Sequence, residues 1–293
     1  MRTAAFHSPR TVEEAVALLA GDAAARPLAG GSDLIVQMQS GRVAPSAIVD
    51  LKRIDGLVGV RRRGQGFVIG AATPCTALRD DAALVAAWPG VVEAANLIGS
   101  VQIRNRATMA GNLCNASPAA DSVPALVAAA ATCLVVGPDG EREVPVQAIP
   151  TAPGRTSLAA GEFVAEIRLP AQAQGGSDAY LRSIPRTEMD IAVVGAGAHV
   201  VIGADGVCTT ARIAIGAAAP TVLLVEEAGN ALVGGRFDDN ALEAMVAAVR
   251  AACVPIDDKR GTARYRTAMA GVLARRTVLT ALNRATKGAK GHA

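Results

Sequence analysis

The stretch ATMAGNLCNASPAADSVPAL, residues 107–126, decides how the rest of the chain is read, because it joins a run of small residues to a strong helix start. Thr108, Ala110, Gly111 and Asn112 carry little side-chain bulk, so main-chain N–H groups there can approach a polyanion, and Asp121 stands where it would cap the apolar run 123–131. An ordinary loop before a core helix fits the same letters. A second small-residue loop, PLAGGSDL at 27–34, shifts the balance. It opens onto a helix expected over 34–40, and glycine amides at a helix N-terminus suit phosphates. Asp33 must then turn its carboxylate away, into a local cap.

With 293 residues, 51% of them apolar, the chain is long enough for two domains. Its longest apolar run, 123–137, contains Pro124 and falls short of the ~18 residues a membrane span needs. Glu13 and Glu14 sit where a secretory signal would be apolar, so the expectation is a cytoplasmic protein without a membrane span. The five cysteines, Cys75, Cys114, Cys133, Cys208 and Cys253, form no C-x-x-C pair, which leaves no zinc or iron-sulfur motif to read. A net charge of +3 with 2% aromatics argues against nucleic acid as a partner.

Thr11 and Glu14 make a capping box ahead of a helix over 12–20, which Gly21 ends. Strands are expected at 47–51 and 67–69, helices at 76–84 and 91–98, and a hairpin from 132–136 and 141–146 around Pro138, Asp139 and Gly140. Arg104 and Arg106, which flank the opening stretch, fit a solvated turn better than a phosphate site. A strand over 163–169 precedes AQAQGGSD at 171–178, the best linker in the chain and the expected domain boundary. Beyond it come two long strands, 191–202 and 207–215, a helix over 240–252 capped by Asp238, and a longer helix over 262–285.

The run VVGAGAHV at 193–200 imitates a dinucleotide fingerprint. Val200 replaces its third glycine, a hairpin follows where a helix is required, and no acid stands about twenty residues on. The segment is therefore expected to be a plain strand, with His199 structural. The chain carries no G-x-S-x-G, H-E-x-x-H or Walker motif.

In order and spacing, several motifs together resemble the FAD-binding middle subunit of the molybdenum hydroxylases, the group that includes carbon monoxide and xanthine dehydrogenases. They are Phe6 and Pro9 with the Thr11 helix, PLAGGSDL, Ile69 to Ala71 with Thr73, QIRNRATMAGNLCNASPAAD, the strand from Gly161 to Pro170, and Arg186 with Asp190, Ile191 and Ala192. The resemblance covers nearly the whole chain. It implies an α+β protein: an FAD-binding region of the PCMH type over about 1–172, built from two α/β subdomains of about 1–56 and 57–172, then an α+β C-terminal domain over 173–293.

It further implies FAD contacts at Leu28, Ala29, Gly30, Gly31, Ser32, Asp33 and Leu34, and at Thr108, Met109, Ala110, Gly111 and Asn112. Asp121 matches a family acid near the cofactor, Ile98 and Val164 fall at apolar contacts, and Arg182 stands where relatives often have Lys near the flavin. Ala110 replaces one glycine of the family's usual pair, and a negative φ is expected there because a left-handed Ala costs about 1 kcal/mol. The implied partners are a large subunit with a molybdenum cofactor and a small subunit with iron-sulfur clusters, in a dimer of heterotrimers. No catalytic side chain or metal ligand is expected here, since a flavin is tuned mainly by positioning and electrostatics. A self-contained flavin oxidase or reductase, and a flavin-free scaffold of the same fold, are the alternatives.

Overall fold

The Thr11 hydroxyl accepts from the Glu14 N–H, so the first helix begins where the capping box places it. In the computed structural model, which describes residues 4–290, β1 (Ala5–His7) leads into this helix, α1 (Val12–Ala20). Then come β2 (Arg26–Leu28), α2 (Leu34–Gln39) and β3 (Ala47–Asp50). The strand order is β1-β3-β2 and both pairings are parallel, so each return must cross over through a helix or loop.

The next part holds β4 (Val60–Arg63), β5 (Gly66–Gly70), and five short helices: α3 (Ala82–Ala87), α4 (Pro89–Asn96), α5 (Val101–Arg104), α6 (Met109–Cys114) and α7 (Ser122–Ala128). It closes with β6 (Thr132–Gly137), β7 (Gly140–Pro145), the small pair β8 (Pro150–Ala152) and β9 (Arg155–Thr156), and β10 (Phe163–Leu169). The antiparallel sheet runs β4-β5-β10-β6-β7, with Gly140 at φ +104° turning the β6–β7 hairpin. The helix expected over 76–84 is instead a 3-10 turn, Cys75–Asp80, followed by α3, because Asp81 caps the Leu84 N–H and restarts the chain. Pro89 opens α4 as its first residue, where its missing N–H costs nothing.

The last part is an antiparallel sheet of β11 (Gly176–Ser183), β12 (Val194–Ile202), β13 (Cys208–Gly216) and β14 (Leu223–Leu224), in that order. α8 (Glu226–Asn230), α9 (Asp239–Ala252) and α10 (Ala263–Lys290) complete it, with Asp238 capping α9 as expected. β12 starts three residues later than the sequence suggested. Arg186, bonded to Asp190 and to the Met189 carbonyl, holds those residues in a loop and leaves Ile191 exposed.

Side chains alternate across this sheet, and its two faces have different partners. Val194, Ala196, Ala198 and Val200 join Ile213 and Ile215 in a core with Met245 and Val249 of α9 and Leu273 and Val278 of α10. On the other face stand Gly195, over which the Tyr180 ring lies, and Gly197 and Gly216, against which α7 lies directly. A Cβ on Gly197 would sit 2.6 Å from the Pro124 carbonyl carbon, and one on Gly216 2.9 Å from Pro124 Cγ. Arg212 donates to the Val127 and Ala128 carbonyls at 2.9 and 3.2 Å, closing the C-terminal end of that helix. The glycines that imitate a nucleotide fingerprint therefore serve packing within an ordinary hairpin, Gly197 against α7 and Gly195 under Tyr180.

The expected linker is held at both sides. Gln172 Nε2 donates to the Ala87 carbonyl at 2.9 Å, and its Oε1 accepts from His199 Nε2 at 2.8 Å. Ser177 and Asp178 are buried. Among the described residues no helix is long and apolar enough to cross a membrane, and all five cysteines are free.

Candidate cofactor site

Between the first sheet and the α6 region lies a cleft of about 750 Å³, whose lining residues all fall between Leu19 and Val164. Its walls include Leu28, Ala29, Gly30, Gly31, Ser32, Asp33 and Leu34 from the first loop, Thr108, Ala110, Gly111 and Asn112 from the second, and the apolar Ile98 and Val164. Met109 is buried behind this wall, and Asp121 and Arg182 lie outside it.

The first loop keeps its shape through backbone demands. Gly31 has φ +78°, which favours glycine. Gly30 is pressed onto the chain that enters the second loop: a Cβ there would stand 2.6 Å from the Arg106 carbonyl carbon and 2.9 Å from Ala107 Cα. Side chains pin the arrangement. Lys52, ion-paired with Asp50, donates to the Ala29 carbonyl at 3.1 Å, and Gln37 of α2 donates to Asn115 beyond α6 at 2.9 Å. The N–H groups of Gly30, Gly31, Ser32 and Asp33 have no acceptor among the described residues. Asp33 makes no cap bond, contrary to the expectation from sequence; its carboxyl opens on the cleft and desolvation raises it.

The second loop is the first turn of a helix. Thr108 caps α6, and its Oγ1 accepts from the Gly111 N–H at 2.9 Å, so that amide is satisfied within the turn. The Ala110 N–H has no acceptor among the described residues. Ala110 takes its place in the helix, outside the positive-φ residues, so its methyl group is unstrained as expected. Losing the cap through Thr108→Val is expected to cost about 1 kcal/mol, seen as a lower midpoint in thermal unfolding; an unchanged midpoint would remove the cap from this account. Asn112 accepts from the Ser122 hydroxyl at 2.8 Å and ties α6 to α7.

Asp121 does not cap α7. Its two oxygens accept from the Tyr180 hydroxyl at 2.8 Å and from Arg182 Nη1 at 2.6 Å, both on β11. Burial raises this carboxyl, opposed by Arg182 and Tyr180, and burial together with Asp121 raises the Tyr180 phenol well above its ordinary range. Arg104 is another correction: it is buried, not solvated, and donates to the Ile98 and Gly99 carbonyls at 3.2 and 3.3 Å. It thereby fixes the turn that presents Ile98 to the cleft. Cys114 also lines the cleft, and burial pushes its thiol up to about 12, which keeps it protonated and inert.

Lys52, Gln37, Asn115 and residues 158–160 complete the site and the sequence reading singled out none of them, whereas Gly161 and Glu162, which also line it, begin a motif that carried the resemblance. Only the capping and glycine signals were local enough to find. The geometry suits a dinucleotide. Unpaired amides at two helix starts match a pyrophosphate, apolar walls match rings, and two glycines set the loop, Gly30 by its close approach to Arg106 and Gly31 by its positive φ.

Residues 2–172 match the family described as FAD binding domain in molybdopterin dehydrogenase, and residues 179–281 match the CO dehydrogenase flavoprotein C-terminal domain. The chain is 39% identical over 282 residues to the carbon monoxide dehydrogenase medium chain of Afipia carboxidovorans, covering 96% of this chain and 97% of that one. It is 30% identical over 281 residues to the putative xanthine dehydrogenase FAD-binding subunit of Escherichia coli, covering 95% and 96%. Among solved structures it superposes on the reconstituted CO dehydrogenase from Oligotropha carboxidovorans with a TM-score of 0.92 at 37% identity, covering 96% of this chain and 98% of that chain.

Proposed function

Because the chain belongs to the FAD-binding medium subunits of the molybdenum hydroxylases, we propose that it is the electron-transfer subunit of a heterotrimer. It is an oxidoreductase subunit whose cofactor is FAD. In this proposal a large subunit hydroxylates the substrate at a molybdenum cofactor, a small subunit relays the electrons through iron-sulfur clusters, and this chain hands them to an external acceptor. The assembly is a dimer of such heterotrimers. The free thiols suit the reducing cytoplasm as its location.

The observation that carries the proposal is the pair of loops locked together at Gly30 and Arg106, with unpaired amides at Gly30 to Asp33 and at Ala110 along one cleft. When bound, FAD supplies the ability to accept and release electrons. The residues of this chain bind and orient it. Leu28 to Leu34 and Thr108 to Asn112 hold the pyrophosphate, with Met109 supporting the second loop from behind. Ile98 and Val164 exclude water from the apolar parts, and Asp121 with Arg182 braces the site where β11 meets α7. The acids on the cleft are Asp33, in the loop given to the pyrophosphate, and Glu162, held by Arg142, so both are taken up in this reading and neither is left free as a base toward a substrate.

Purified alone and reconstituted with FAD, the chain is expected to retain flavin after desalting, yet to give no turnover of N-heterocyclic or aromatic substrates with an artificial acceptor. Turnover should appear when the large and small subunits are added. Sustained turnover by the lone chain would favour the oxidase instead, and a chain that takes up no flavin would favour the scaffold.

A further inference from the structure

The C-terminal domain gives no residue to the cleft, yet it grips the helix that ends there. α4 begins against β11: a Cβ on Gly90 would stand 2.6 Å from Ala179 Cα, so helix and strand touch backbone to backbone. The carboxylate of Asp178, on β11, accepts from the Gly90 and Val91 N–H groups at 3.0 and 2.9 Å, capping the helix from the other domain. Arg284 of α10 donates to the Asp178 carbonyl at 2.9 Å and pairs with Glu93 of α4. Trp88, just before the helix, packs on His199 with ring centroids 5.1 Å apart and donates to the Pro170 carbonyl at 3.2 Å.

The far end of α4 continues through the Leu97 and Ile98 N–H groups, which bond back to Ala94 and Ala95. From Gly90 to Ile98 is a rigid rod of about 12 Å, ending in the cleft wall under the grip of Arg104. A helix held at one end by the C-terminal domain and presenting a cleft residue at the other transmits any shift of its cap to that wall.

We propose that Asp178 is a positioning residue for the cofactor cleft, fixing α4 and through it Ile98, so that the C-terminal domain sets cofactor affinity without touching the cofactor. The proposal rests on the reading of the cleft as the FAD site. The charge environment gives it a signature. Asp178 is fully buried, and burial pushes its carboxyl up to about 7 against the pull of the two N–H groups; Glu93 on α4 adds to the rise and Arg284 on α10 opposes it. His199, opposite Asp178 on β12, is pushed down to about 4 by burial and by Arg212, so it stays neutral through this range. A native pKa raised above the unfolded value means that the closed contact of β11 with α4 is favoured most with Asp178 protonated, because desolvation of the charge outweighs the two N–H bonds. This share of its stability is lost as pH rises through about 7.

The test measures FAD dissociation constants of the full chain at pH 6 and pH 8, beside the emission of Trp88, the single tryptophan. Wild type is expected to bind FAD more tightly at pH 6 than at pH 8. Asp178→Ala should bind about tenfold more weakly, with no difference between the two pH values and with red-shifted Trp88 emission. Asp178→Asn, which keeps a neutral acceptor as the protonated acid does, should hold the wild-type pH 6 affinity at both pH values. Glu93→Gln, milder and partly exposed, should move the wild-type pH step downwards and provides the reading if the Asp178 variants fail to fold. Wild-type affinity in Asp178→Ala, a pH difference that survives in either Asp178 variant, or an unmoved step in Glu93→Gln each overturns the proposal. A wild type that takes up no FAD at either pH overturns instead the cleft reading on which it rests.

Discussion

Replacing Gly30 with alanine is expected to leave a folded but colourless protein. The new Cβ would lie 2.6 Å from the Arg106 carbonyl carbon, closer still to its oxygen, and 2.9 Å from Ala107 Cα. These are backbone atoms and cannot swing aside as a side-chain tip can, so the two loops must part by about 1 Å to regain ordinary contact distances of about 3.5 Å. Lys52 on Ala29 and Gln37 on Asn115 hold the loops in register and oppose that movement. Amides placed for one pyrophosphate then no longer converge. Each hydrogen bond to a charged group is worth about 1.5 to 3 kcal/mol, so losing two weakens FAD binding by at least about a hundredfold. Flavin absorbance after desalting, with circular dichroism to confirm folding, measures this. A yellow Gly30→Ala protein with wild-type affinity would show that the loops need not touch.

Gly197→Val is expected to act on stability rather than on the cofactor. Its Cβ would meet the Pro124 carbonyl and lie 2.8 Å from the Ala125 amide nitrogen, so α7 must lift off β12. Overpacking a core with side chains costs about 1 to 3 kcal/mol, occasionally more, and here the unyielding partner is helix backbone. The loss should reach about 3 kcal/mol or beyond, a large share of the 5 to 15 kcal/mol of a typical domain. Urea unfolding should show a markedly lower midpoint, or no folded protein at all. A midpoint equal to wild type would mean that α7 does not rest on these glycines. The variant therefore reports on the packing of α7 against β12 and not on cofactor binding.

What was legible in the sequence was local. Thr11 with Glu14, Asp238, and the turn at Pro138 to Gly140 all act within a few residues, and each appears where the letters put it. The two small-residue loops could be found for the same reason, and their order along the chain carried the family. What stayed hidden depends on partners distant in sequence. Asp121 looks like a cap because it precedes an apolar run, yet its oxygens are claimed by Tyr180 and Arg182 from another strand. Arg104 looks solvated among polar neighbours, but the carbonyls it binds face inward at a turn formed by Gly99 at φ +55°. Gly30 reads as a phosphate glycine, and only the fold reveals that it also sets how closely the loops approach. The polar run at 171–178 has a linker's composition, but Gln172 and Asp178 spend their polar groups on the neighbouring domain.

The seven residues of α7 are all buried, and the strands that bury one side of this helix end only at Gly216. During synthesis the helix therefore leaves the ribosome long before its cover does, by roughly 90 residues or on the order of 4 to 18 seconds at ordinary elongation rates. For that interval the growing chain displays a greasy surface that cannot be put away, and protection by a chaperone matters most there. The same timing explains why a chain stopped within 171–175 would be a sticky fragment rather than a usable half: β12 and β13, which cover α7 of the first domain, come after that point.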